Sequence, residues 1–179
     1  MRKCEYFTLQ PLKHQEIVSN PPKKMYPQER DWTCSIACIR TMLSGIDPTV
    51  PEEDHFVSTY RLTPGPLFSK DIKKLDILGN YDALYGCDKP DITFDSILDY
   101  MENGYFVMLE SMLNFSHWFV LLGYYPSADN DAEKGKVLVY DPYYNTSRLL
   151  IADEFIQMWI DGNHNINKIQ KDFIAVRGK

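Results

Sequence analysis

Gln28-Glu-Arg-Asp-Trp-Thr-Cys34-Ser-Ile-Ala-Cys38-Ile-Arg-Thr-Met42-Leu43 is the stretch on which the fold turns. It reads as a polar loop that becomes a buried helix. Thr33 or Asp31 is placed to cap that helix. Ile36, Ile39 and Leu43, with the small Ala37, give it an apolar face. Gly45, followed by Pro48, ends it. Cys34 falls at the helix N-terminus, where unpaired backbone N–H groups and the helix dipole favour an anion. A thiolate is such an anion and is the reactive form of cysteine, so Cys34 is expected to alkylate fastest. Gln28, six residues earlier, carries an amide that can donate to an oxyanion formed beside Cys34.

A thiol nucleophile needs a base, and His117 is the candidate. It opens His117-Trp-Phe-Val-Leu-Leu-Gly-Tyr124-Tyr125, an apolar run that reads as a largely buried strand. A loop over residues 126–135 leads to a second strand, Lys136-Val-Leu-Val-Tyr140-Asp141. If the two form a hairpin, the start of the first lies near the end of the second. Asp141 then falls near His117, and a carboxylate bonded to one ring nitrogen would hold the imidazole toward Cys34.

These residues together resemble the papain-like cysteine peptidases of the bacteriocin-processing, C39-like type. The resemblance rests on Gln28 and Cys34, on His117 opening an apolar strand that ends in Gly123-Tyr124, and on Tyr140-Asp141-Pro142. It is closer still to a branch of peptidase-like proteins known as soluble guanylyl cyclases. That branch has Trp-Asp-Cys-Gly-Leu-Ala-Cys where this chain has Trp32-Thr33-Cys34-Ser35-Ile36-Ala37-Cys38. Ser35 therefore replaces a glycine and Thr33 an aspartate; serine is small, so the oxyanion site is expected to survive. The resemblance implies an α+β, papain-like fold, with a helical first half packed on a mostly antiparallel β-sheet and the site between them. It implies a Cys34, His117, Asp141 triad with Gln28 as oxyanion donor, acting on a peptide or protein substrate without metal or other cofactor.

The chain has 179 residues, enough for one domain with a sizeable core. Residues 1–24 read as an arm packed on that domain, which takes up residues 25–179. The net charge of -6 argues against a nucleic-acid partner or an anionic membrane surface. No apolar run is long enough to span a bilayer. The start, Met-Arg-Lys-Cys-Glu-Tyr, lacks the hydrophobic segment of a secretory signal. Cys34 and Cys38 lie one helical turn apart, a poor geometry for a bridge. Reduced thiols in a cytoplasm are the simpler reading.

Taken in order, residues 6–9 read as a short strand. His14 and Lys13 read as surface polar residues. Glu52-Glu-Asp54 opens a second segment that continues as a short helix, with His55 at its surface. Ser69 is expected to cap a helix over residues 70–78 that packs across the first one. Residues 81–90 read as a linker. Thr93 or Asp91 starts a helix over residues 94–101. Tyr105 to Glu110 is an apolar strand expected to pair with the His117 strand. Glu110 at its end reads as a surface charge, with a substrate contact as the sharper alternative. Asp153 is expected to cap residues 154–160, and residues 171–176 form a last strand. His164 falls in a loop.

Other readings compete. Packing accounts for Cys38, Cys87 and Cys4. Cys34 and Cys38 are followed by no second pair at zinc-ligand spacing. Trp32, Trp118 and Tyr143-Tyr144 read as core or groove walls. A transferase that passes the same thioester to an amine acceptor is a variant of the cysteine peptidase or amidase reading, and for the whole chain the alternatives to that reading are two. One is a guanylyl cyclase-like nucleotide enzyme, although no Gly-rich phosphate loop or spaced carboxylate pair is present. The other is a catalytically silent binding module that keeps the peptidase fold.

Overall fold

The computed structural model describes residues 11–111, 116–127, 134–161 and 169–179. The strand expected over residues 6–9, Cys4 and His164 lie outside them. Helix α1 spans Cys34–Leu43, and every residue after Cys34 is buried. A helix enclosed on all sides must satisfy its polar members internally. Arg40 donates to the Pro51 carbonyl (2.9 Å), Glu29 (3.0 Å) and Glu52 (2.8 Å). Thr41 Oγ1 and Ser44 Oγ accept the N–H groups of Tyr26 and Lys24, each at 2.9 Å. The segment leading to Gln28 is thereby laced along α1.

The sheet is antiparallel and seven-stranded. Its order is β2 (Asp82–Tyr85), β7 (Phe173–Arg177), β3 (Phe106–Ser111), β4 (His117–Tyr125), β5 (Lys136–Asp141), β6 (Thr146–Ile151), with β1 (Val18–Ser19) alongside β4. Alternation along each strand sends side chains to opposite faces. Val107, Leu109, Leu121, Val137 and Val139 meet helices α4 (Phe94–Glu102) and α5 (Ala152–Ile160). Met108, Trp118, Val120, Tyr140, Ile174 and Val176 meet α1, α2 (Glu53–Thr59) and α3 (Ser69–Lys74). Each fully buried large apolar side chain contributes about 1.5–3 kcal/mol. The chain is α+β, as expected, but helices cover both faces of the sheet.

Several expectations are corrected. Residues 81–90 are not a linker: Asp82–Tyr85 pairs with Arg177–Ile174 of β7, and Gly86–Asp88 forms a 3-10 turn. The partner strand is almost a hundred residues away, so no local pattern marks β2. Helix α3 stops at Lys74, because Asp76 takes a left-handed backbone conformation (φ +56°) that ends the turn. Ser69 lies inside α3, and its Oγ accepts the Cys87 N–H at 3.0 Å. Helix α2 packs against α1, while α3 rests on β2 and the 3-10 turn. Asp153 lies in the first turn of α5, behind Ile151 at the cap. Cys87 is exposed, not packed.

The described part of the arm is tied to the domain by strand pairing and by a cluster of charges. Val18 and Ser19 pair with Tyr124 and Gly123 of β4. The His14 ring lies among acids of α4: Nδ1 is 2.7 Å from Asp95, and Nε2 is 3.2 Å from Asp99 and 3.4 Å from Glu102. His14 is therefore a fastening rather than a loose surface residue. Among the described residues, no helix is long and apolar enough to cross a membrane.

Candidate active site

Cys34 opens α1, and the turn before it is held by its own backbone. The Arg30 carbonyl accepts from the Thr33 N–H (3.2 Å), the Thr33 hydroxyl (3.0 Å) and Gln28 Nε2 (2.8 Å). Thr33 Oγ1 in turn accepts the Arg30 N–H at 3.1 Å. Thr33 thus stands at the cap position without making the predicted side-chain cap, since its hydroxyl is spent on the turn. Asp31, the other candidate, is exposed. The Arg30 side chain is anchored as well: Nη1 donates to Glu53 at 2.9 Å, and the Glu29 N–H donates to the same buried carboxylate at 3.0 Å.

Gln28 also ties the loop to the sheet. Its N–H donates to the Pro142 carbonyl at 3.1 Å, next to Asp141. Its Oε1 is buried with no hydrogen-bond partner among the described residues, as is Ser35 Oγ. Buried unpaired acceptors are costly and rare in structural positions.

Strands β4 and β5 form the predicted hairpin, with Val120 opposite Tyr140. That register brings the ends together, and His117 Nε2 lies 2.9 Å from Asp141 Oδ1. The Tyr143 N–H reaches the same oxygen at 3.0 Å, and Arg148 Nη2 lies 3.4 Å from Oδ2. The Asp141 side chain is buried, so these partners hold it in one orientation. The imidazole meets the Phe119 ring edge-on at 4.6 Å between centroids and the Tyr143 ring at 6.4 Å. With Nε2 donating to Asp141, Nδ1 carries the ring lone pair.

Cys34 Sγ lies against the backbone N–H of Trp118, the residue after His117. Thus α1 and β4 bring the thiol and the histidine to the same strand end. Cys38, one turn further in, donates its S–H to the Trp118 carbonyl at 3.4 Å and is fully buried. The helix N-terminus does not dominate the thiol. Burial pushes Cys34 up to about 11, against the N–H groups of Trp118 and Ser35, which pull it down, while Glu110 pushes it further up. The expectation of a favoured resting thiolate is therefore corrected. Cys34 keeps some accessible surface, but the protein around it is dense enough for desolvation to win.

Glu110 is the second correction. It is 1% exposed, not a surface charge. Trp118 is core, with Nε1 donating to the Leu67 carbonyl at 2.8 Å. Tyr143 and Tyr144 are exposed at the site's edge, and the Arg148 guanidinium lies 4.7 Å over the Tyr144 ring. Arg148, which reads in the sequence as the start of a short strand to Ile151, is not singled out there for the site. Hairpin parity is the signal that marks it: Thr146 pairs with Asp141, and Arg148 lies two residues along on the same face. His14, Asp99 and Glu102 could hold a metal ion, their ligand atoms all lying within 4.8 Å of one another. They lie on α4 and the arm, and ion pairing accounts for their arrangement.

A family model described as Peptidase_C39 like family matches residues 23–164, most of the chain. No curated protein matches it.

Proposed function

The chain belongs to the Peptidase_C39 like family, and from that premise we propose that it is a cysteine hydrolase of peptides or other amides. Cys34 is the nucleophile, His117 the base and then the acid, Asp141 the residue that orients His117, and Gln28 an oxyanion donor. The observation that carries this reading is the His117–Asp141 pair at the strand end where Cys34 meets the Trp118 N–H.

His117 Nδ1 takes the Cys34 proton as sulfur attacks the carbonyl carbon. The oxyanion that forms is met by the Cys34 N–H and by the Gln28 amide. His117 then gives its proton to the departing amine and leaves a thioester on Cys34. Water attacks the thioester, again through His117, and frees the acid product. A peptide or protein is the substrate class, and a reducing compartment such as the cytoplasm suits the chemistry.

The test has two parts. Hydrolysis of a mixed peptide library is expected for the wild type and not for Cys34→Ala. The pH profile of Cys34 alkylation is expected to move to higher pH in Asp141→Asn and further in His117→Ala. Identical profiles for all three proteins would sink the triad.

A further inference from the structure

Glu110 is a buried acid with no part in the chemistry above. It stands opposite Trp118 in the β3–β4 ladder. Its neighbour Met108 faces the α1 side of the sheet, and strand alternation puts Glu110 on that side too. The Trp118 peptide there meets Cys34, and a charge on Glu110 is felt at the thiol. The Ser116 hydroxyl, immediately before His117, donates to Glu110 Oε1.

Across the sheet the Glu110 N–H donates to the Asp172 carbonyl at 3.1 Å. Asp172 is also buried, and its carboxylate accepts the Ser69 N–H at 2.9 Å and the Phe173 N–H at 3.1 Å. A charge on Asp172 disfavours a second charge on Glu110. Asp172 has two backbone donors to favour its charge, whereas Glu110 has a single hydroxyl. Glu110 is the one that stays neutral.

We propose that Glu110 is a positioning residue for Cys34: as a neutral acid it braces the start of β4 through Ser116, and on ionising it sets a like charge beside the thiol and withholds the thiolate. The proposal rests on Cys34 being the nucleophile. Burial pushes Glu110 up to about 8, with Ser116 pulling down and Asp172 pushing further up. Below that pH the thiol titrates beside a neutral group. Above it, the thiol titrates in the field of a like charge, which pushes its pKa further up. One unit is about tenfold in thiolate at fixed pH.

The experiment measures the rate of Cys34 modification by iodoacetamide, mapped by peptide mass spectrometry, between about pH 6 and pH 10. Wild type and Glu110→Gln are expected to agree at the acid end. At the alkaline end Glu110→Gln is expected to react about tenfold faster, because its neutral amide cannot ionise. Ser116→Ala keeps the carboxyl but loses the bond that favours its charge, so the break in its profile is expected at higher pH. A Glu110→Gln to wild-type ratio that stays constant with pH would overturn the proposal. So would a Ser116→Ala break that stays in place or moves down, which keeps the test open if Glu110→Gln fails to fold. Coincident wild-type and His117→Ala profiles would instead overturn the hydrolase reading itself, whatever Glu110 does.

Discussion

Arg148 and His117 meet different oxygens of Asp141: Arg148 Nη2 lies 3.4 Å from Oδ2, while His117 Nε2 lies 2.9 Å from Oδ1. The carboxylate is held at both oxygens, and the Tyr143 N–H adds a third partner at 3.0 Å. A buried carboxylate so fixed presents one oxygen to one ring nitrogen, which selects a tautomer. Asp141→Asn should therefore lower hydrolysis by at least on the order of a hundredfold, because the amide cannot stabilise the imidazolium. Arg148→Met should cost much less, on the order of a few-fold, since a half-exposed pair is worth roughly 1 kcal/mol or less. Steady-state rates of the two variants on one substrate decide it. Equal losses would make Arg148 more than a support for Asp141.

Gln28→Ala should slow turnover by on the order of a hundredfold, the usual scale for one oxyanion donor. Its effect on stability should be small. Among the described residues the side chain makes a single bond, to the Arg30 carbonyl at 2.8 Å, and the change also removes a buried oxygen that has no partner there. A melting temperature several degrees lower with hydrolysis retained would make Gln28 a structural residue.

Glu53→Ala should be the costliest surface-distant change near the loop. The carboxylate is fully buried and holds both the Glu29 N–H and the Arg30 guanidinium. Its removal takes away two bonds to part-buried donors, each worth about 1 kcal/mol. Urea unfolding measures that cost. Glu53→Gln can keep one of the two bonds and should lose less. Equal losses for Ala and Gln would show that the bonds themselves matter little.

The arm should loosen as pH rises. Burial lowers the pKa of His14, but the bonds and charges of Asp95, Glu102 and Asp99 outweigh it, so the net shift is upward. A raised folded pKa gives stability that is complete below the unfolded value of about 6.5 and is lost as pH climbs through the folded value. Hydrogen exchange of residues 11–20 should therefore quicken above neutrality. In His14→Gln it should be fast at every pH beyond the intrinsic rate. Wild-type protection that stays level through the same range would mean that β1 pairing alone fastens the arm.

The β4–β5 hairpin and α1 were legible in the sequence because both are local. Antiparallel parity alone carries His117 to Asp141 once the two apolar runs and their loop are recognised. The spacing of Ile36, Ile39 and Leu43 marks a buried helix that begins at Cys34. Arg148 obeys the same parity and was open to the same reasoning. What the tertiary structure decided depends on partners far along the chain. Strand β2 exists because β7 supplies its hydrogen bonds. Glu110 is buried because β3 is an inner strand, between β7 and β4, and its Glu110 face is covered by α1. The upward push on the Cys34 thiol has a cause of the same kind: a helix N-terminus favours a thiolate, but desolvation is set by everything packed around the sulfur. Helix position can be read from one segment, whereas burial belongs to the whole fold.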